Sequence, residues 1–220
     1  MSHVLFVLTN HERMLNGEPT GLWLEEFAVP YQQLRAAGHE VTVASVAGGA
    51  VPVDPNSAVG EEQVRAWQDA IDQLSDTPAF DTLDTTGYDA VYLPGGHGTV
   101  FDMPYNRKLH DLLFAFEKSG RVISTVCHAP AVFAGMRQAD GVPFIQGRRL
   151  AAFTDSEEHA VGGAEKVPFL LESRLKELGA EHEATDDWQP LAVQDGKLIT
   201  GQNPQSSAAV AEKLIAALQQ

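Results

Sequence analysis

Short apolar runs and longer stretches of helical period alternate along this chain, and that alternation limits its fold more than any other feature. Val4–Leu8, Val41–Ser45, Asp89–Leu93 and Arg121–Val126 have the length and apolar character of buried strands. Leu22–Ala37, Asn106–Lys118, Val167–Leu178 and Ser206–Leu218 instead carry apolar residues at helical spacing. Such alternation predicts an α/β fold with a mostly parallel central sheet. The breakers fit: Gly38 and Gly120 close helices, Asn106 can cap one, and Gly48-Gly49 marks a turn. Pro30 falls inside the first helix, where a kink or a break is expected.

A chain of 220 residues suggests one domain, here 1–220, long enough to bury about 70% of its unfolded surface. Thirty acidic residues against fifteen basic ones leave a net charge of −15. That balance argues against nucleic acid, whose phosphates need clustered Lys and Arg, and against anionic membranes. No apolar stretch is long enough to span a bilayer, and the N-terminus runs into a strand without a secretory leader. A cytoplasmic protein is the expectation. Between Glu40 and Asp89 ten acids face one base, Arg65, which reads as a solvated acidic helix and loops.

One cysteine, Cys127, cannot form an internal disulfide or a multi-thiolate metal site. The eight histidines are scattered without zinc-type spacing, so neither a metal nor a cofactor is expected. Cys127 does sit at the sharpest junction in the chain, Val122-Ile123-Ser124-Thr125-Val126-Cys127-His128-Ala129-Pro130. A strand turning abruptly into a helix over Ala129–Met136 would present Cys127 at the C-terminal edge of the sheet, where open α/β folds place ligands. The helix N-terminus would lower the thiol pKa. His128 is the adjacent candidate acid or base. A cysteine after a buried strand is also, in most proteins, a small hydrophobe. Gly95-Gly96-His97-Gly98 follows the preceding strand, and its exposed N–H groups suit an oxyanion site as well as an ordinary tight turn.

These segments together resemble the ThiJ/PfpI superfamily, which shares the class I glutamine amidotransferase-like fold. The resemblance covers most of the chain. It is carried by Pro19-Thr20-Gly21 with Glu26 and Pro30, by Tyr92-Leu93-Pro94-Gly95-Gly96-His97-Gly98 and by Val126-Cys127-His128-Ala129-Pro130. Phe153-Thr154-Asp155-Ser156-Glu157-Glu158, Val167-Pro168-Phe169-Leu170-Leu171-Glu172 and Leu198-Ile199-Thr200-Gly201-Gln202-Asn203-Pro204 complete it. It implies a single-domain flavodoxin-like sandwich with helices on both faces of the sheet.

The same resemblance implies roles. Cys127 matches the family nucleophile, His128 its partner and Glu158 the acidic third member, with Glu157 the adjacent alternative. Glu26 matches the glutamate that contacts the sulfur, where a shared proton would raise the pKa of one group of the pair. Gly96 and His97 match the backbone donors of the oxyanion site, joined by the His128 N–H. Trp23 is a candidate pocket wall. The branch resembled contains glyoxalase III enzymes, proposed deglycases and stress chaperones. It implies a cofactor-independent conversion of methylglyoxal or another small 2-oxoaldehyde to a 2-hydroxy acid, by a homodimer. Release of early carbonyl adducts, holdase action, and cysteine-dependent hydrolase or amidase chemistry are the alternatives.

Overall fold

The structure, a computed structural model, describes residues 1–219. Strand β1 (His3–Leu8) leads through α1 (Leu24–Ala36) to β2 (Glu40–Ser45). The acidic segment carries two short helices, α2 (Glu61–Ala66) and α3 (Gln68–Ile71). Next come β3 (Ala90–Leu93), a single turn α4 (Thr99–Asp102), α5 (Arg107–Lys118) and β4 (Val122–Val126). The remainder holds β5 (Arg149–Leu150), α6 (Asp155–Ala160), α7 (Leu171–Glu177), β6 (Glu181–His182), β7 (Ala192–Asp195), β8 (Leu198–Gly201) and α8 (Ser207–Leu218).

The main sheet runs in the order β2-β1-β3-β4-β8-β7, parallel except for β7 against β8, while β5 and β6 form a separate pair. Every residue of β3 and β4 is buried, as expected of parallel strands covered on both faces. The crossover from β1 to β2 steps one way along the sheet and that from β3 to β4 steps the other. Right-handed crossovers therefore place α1 and α5 on opposite faces; α8 packs beside α1. The reversal opens a crevice beyond the ends of β1 and β3, next to β4, where Cys127 lies.

Local expectations meet mixed outcomes. Asn106 caps α5 by accepting the Leu109 N–H at 3.1 Å. Helix α1 runs through Pro30 without a break. The ring removes the amide that would bond the Glu26 carbonyl, and the Tyr92 hydroxyl on β3 donates to that oxygen instead, at 2.6 Å. The segment from Val167 becomes helical only at Leu171, after an extended Leu170; Pro168 steers Val167 away from helical geometry. Ala129–Gly135 is a 3-10 helix rather than an α-helix, with bonds such as Ala131 N–H to His128 O at 3.0 Å. Among the ten acids of the acidic segment, Asp54 is not solvated: it is buried and accepts the Thr20 hydroxyl at 2.8 Å. Among the described residues, no helix is long and apolar enough to cross a membrane.

Candidate active site

Cys127 follows β4 directly, with φ 59, in the left-handed region that residues other than glycine rarely enter. Two backbone bonds hold it there: its N–H donates to Gly201 O at 2.9 Å, and its carbonyl accepts the Phe153 N–H at 3.0 Å. Strain of this kind costs about 1–3 kcal/mol and persists only where the surroundings over-determine it. The turn brings His128 back onto its neighbour, with Nδ1 3.2 Å from Sγ.

Glu158 completes a line of three, with Oε2 2.6 Å from His128 Nε2. The choice between the two adjacent glutamates is made by the cap of α6. Thr154 accepts the Glu157 N–H at 3.0 Å, and the Glu157 carboxylate folds back to accept the Thr154 N–H at 3.1 Å. Glu157 also accepts from Trp188 N–H at 2.9 Å and from Asn203 Nδ2 at 2.7 Å, which ties it to two loops. Glu158, one residue further around the helix, faces the imidazoles. Burial would raise its pKa, but His128 and His97 outweigh burial and hold the carboxyl well below the usual range.

Glu26 is fully buried on α1 and accepts the Gly95 N–H through Oε2 at 2.7 Å. Its Oε1 is buried without a properly aligned hydrogen-bond partner, beside the thiol. Burial lifts the Glu26 pKa to about 8, against the opposing pull of Cys127 and the Gly95 N–H. The thiol is also pushed up, by burial first and then by the Glu26 charge. Burial and the acid beside the sulfur thus act against the low-pKa thiol expected at a helix N-terminus. His128 shifts downward through burial and the neighbouring His97, against Glu158, and so rests neutral near pH 7.

The two glycines are demanded by close approach. A Cβ on Gly95 would lie 2.6 Å from both Glu26 Oε2 and Val126 O; on Gly96, at φ 104, it would lie 2.2 Å from Gly21 O. The N–H groups of Gly96, His97 and His128 donate no hydrogen bond within the protein among the described residues. The side chain of His97 brings something the sequence did not signal, a hydrogen bond from Nε2 to Glu158 Oε1 at 2.7 Å.

Cys127, His128 and His97 open onto a cavity of about 420 Å³, with Glu26 and Glu158 buried behind them. Trp23 lines it, as do Met14, Phe153 and Trp188, with the Lys166–Glu18 ion pair (2.8 Å) at its edge. Trp188 and Lys166 lie on loops without periodicity, so no sequence pattern points to them. His97, His128 and Glu158 place one donor atom each within 4.8 Å of one another, a proximity the scattered spacing of the histidines does not suggest. They satisfy each other as hydrogen-bond partners. Each Nε2 must carry a hydrogen to meet the carboxylate, and a protonated ring nitrogen does not ligate a metal.

Comparison with known proteins agrees with the geometry. The profile described as the DJ-1/PfpI family matches residues 20–217. Glyoxalase 3 of Candida albicans is 29% identical over 235 residues, covering 100% of this chain and 99% of its own. The crystal structure of glyoxalase III from that organism superposes with a TM-score of 0.85, covering 98% and 97% of the two chains. The Rapid Encystment Protein 24 KDa of Francisella tularensis is 33% identical over 99% of each chain, with a TM-score of 0.93. Protein/nucleic acid deglycase HchA of Escherichia coli is 28% identical over 98% of this chain and 82% of its own.

Proposed function

This chain belongs to the DJ-1/PfpI family, and on that premise we propose that it is a cofactor-independent glyoxalase acting on small 2-oxoaldehydes through a Cys127 hemithioacetal. The observation that carries the reading is the line Sγ–His128–Glu158, at 3.2 and 2.6 Å, with Cys127 and His128 lining a cavity and Glu26 buried beside the sulfur. The similarity to Candida albicans glyoxalase 3 along the full chain supports it.

Each residue has a part. Sγ bonds to the aldehyde carbon as the C=O π pair moves to oxygen, and His128 Nδ1 relays the thiol proton to that oxygen. The free N–H groups of Gly96 and His128 stabilise the negative charge as it develops. His128 then takes the proton from the first carbon, and the enediol collapses with a proton on the second carbon, leaving a 2-hydroxy thioester. Water releases the hydroxy acid and the thiol. Glu158 fixes the imidazole tautomer and balances its positive charge. Glu26, neutral below about pH 8, shares its proton with the sulfur and keeps a second negative charge away from it.

A panel of 2-oxoaldehydes assayed with wild type and Cys127→Ala tests the reading; turnover by the wild type alone is the expected result. A second reading, release of carbonyl adducts from amines or thiols, draws on the HchA similarity and on a cavity roomier than a three-carbon substrate needs. Adduct decay measured with free aldehyde trapped separates the two, since a glyoxalase acting on free aldehyde then adds nothing to the decay that the trap alone produces. Assembly as a homodimer is part of the proposal, and sedimentation of the purified chain tests it.

A further inference from the structure

Glu158 holds two imidazoles, and the chemistry above uses one. His128 Nε2 and His97 Nε2 sit 2.6 and 2.7 Å from its two oxygens, and the two rings lie 4.0 Å apart. An ionised carboxylate only accepts hydrogen bonds, so each Nε2 carries its hydrogen and leaves Nδ1 as the ring nitrogen that can take a proton. In His128 that nitrogen is the one 3.2 Å from Sγ. In His97 it makes no hydrogen bond within the protein among the described residues, and the ring forms part of the cavity wall beside Cys127. The fold keeps room for this second pairing. A Cβ at position 163 would stand 1.9 Å from Glu158 Oε1 and 3.3 Å from His97 Nε2, and the residue there is glycine.

We propose that His97 is a second base of the site and activates the water that hydrolyses the acyl group from Cys127. The inference rests on Cys127 being a nucleophile that passes through a thioester, but not on the identity of the acyl donor. In the step, the water oxygen bonds to the acyl carbon and one water proton goes to His97 Nδ1. The C–S bond breaks with its electron pair on Sγ, and that proton then restores the thiol, so thioester and water become acid and thiol. His128, whose Nδ1 lies 3.2 Å from the sulfur that has to leave, is the group next to the departing thiolate. A separate imidazole on the same carboxylate leaves His128 with the sulfur and gives the water a base of its own.

The test is pre-steady-state kinetics with intact-mass detection of acyl-Cys127, on wild type, His97→Gln, His97→Asn and His128→Gln. Methylglyoxal serves as one acyl source and p-nitrophenyl acetate, which acylates a reactive thiol directly, as the other. In both His97 variants the acyl-enzyme is expected to form within about threefold of the wild-type rate and then to persist, with steady-state turnover down about 100-fold or more. Hydroxylamine, which attacks a thioester without a base, should restore release. His128→Gln is expected to lose acylation itself. Steady-state turnover of His97→Gln within about threefold of wild type would overturn the proposal. So would loss of acylation along with turnover, since His97 would then only support Glu158. A wild type that processes the ester but no 2-oxoaldehyde would contradict the glyoxalase reading, while the ester arm would still decide the role of His97.

Discussion

The Tyr92 hydroxyl donates to the main-chain carbonyl of Glu26 at 2.6 Å, across the boundary between β3 and α1. It replaces the helix bond that Pro30 cannot make, in a fully buried place where an unmet carbonyl is costly. The same contact seats Glu26 beside the sulfur. Tyr92→Phe should lose about 1–3 kcal/mol in urea unfolding. In a Pro30→Ala background, where an amide again faces that carbonyl, the same substitution should lose less. Equal losses in both backgrounds would show that the hydroxyl is not compensating for the proline.

Glu26 ties stability to pH. Its pKa rises from 4.5 to about 8 on folding, so between those values the folded protein holds a proton that the unfolded chain releases. Stability contributed by this group is present at low pH and falls as pH rises through that window, with a limiting slope of about 1.4 kcal/mol per pH unit. Glu26→Gln removes this contribution. Urea midpoints measured across the window should fall with pH more steeply in wild type than in the variant; parallel curves would contradict a shared, buried proton.

How much of this is legible in the sequence depends on the range of the interaction. Strands β1 to β4 show as local apolar runs, and the Asn106 cap acts within one turn. The elbow at Cys127 is visible because β-branched residues end abruptly at a Cys-His-Ala-Pro turn. The His97–Glu158 pair is not legible, since 61 residues separate its members and the glycines around His97 advertise only the backbone. Tyr92 reads as one more core residue of an apolar strand, because nothing near it in sequence reveals that its hydroxyl answers a proline on α1. The direction of the thiol shift also escapes a local reading: it follows from burial and from Glu26, about a hundred positions away. Glu157 and Glu158 become distinguishable only once the Thr154 cap sets the phase of α6.

The upward push on the Cys127 thiol from Glu26 makes two observables move in opposite directions. With Glu26→Gln, alkylation by iodoacetamide should become faster above neutral pH, because a negative neighbour is gone. Turnover of 2-oxoaldehyde should fall, because the shared proton is gone as well. Slower alkylation in the variant would mean that the carboxyl activates the thiol rather than restraining it.

Adjacent glutamates should fail in different ways. Glu158→Gln keeps the side chain's size but removes its charge and turns one acceptor into a donor facing an imidazole N–H, and turnover should drop by about 100-fold or more. Glu157→Gln removes the charge from a carboxylate tied to the α6 cap and to the Trp188 and Asn203 loops. It should lower the unfolding midpoint, losing about 1.5–3 kcal/mol for each charged bond weakened, while the chemistry at Cys127 continues in the folded fraction. Thermal melts and initial rates on the two variants check the separation, and the reverse pattern would exchange their roles.

The most direct measurement is lactate formed from methylglyoxal by the purified protein and by Cys127→Ala, without glutathione and with chelator present. The wild type should produce lactate steadily and the variant none above background. Lactate production retained by Cys127→Ala, or absent from the folded wild type, would contradict the proposed function.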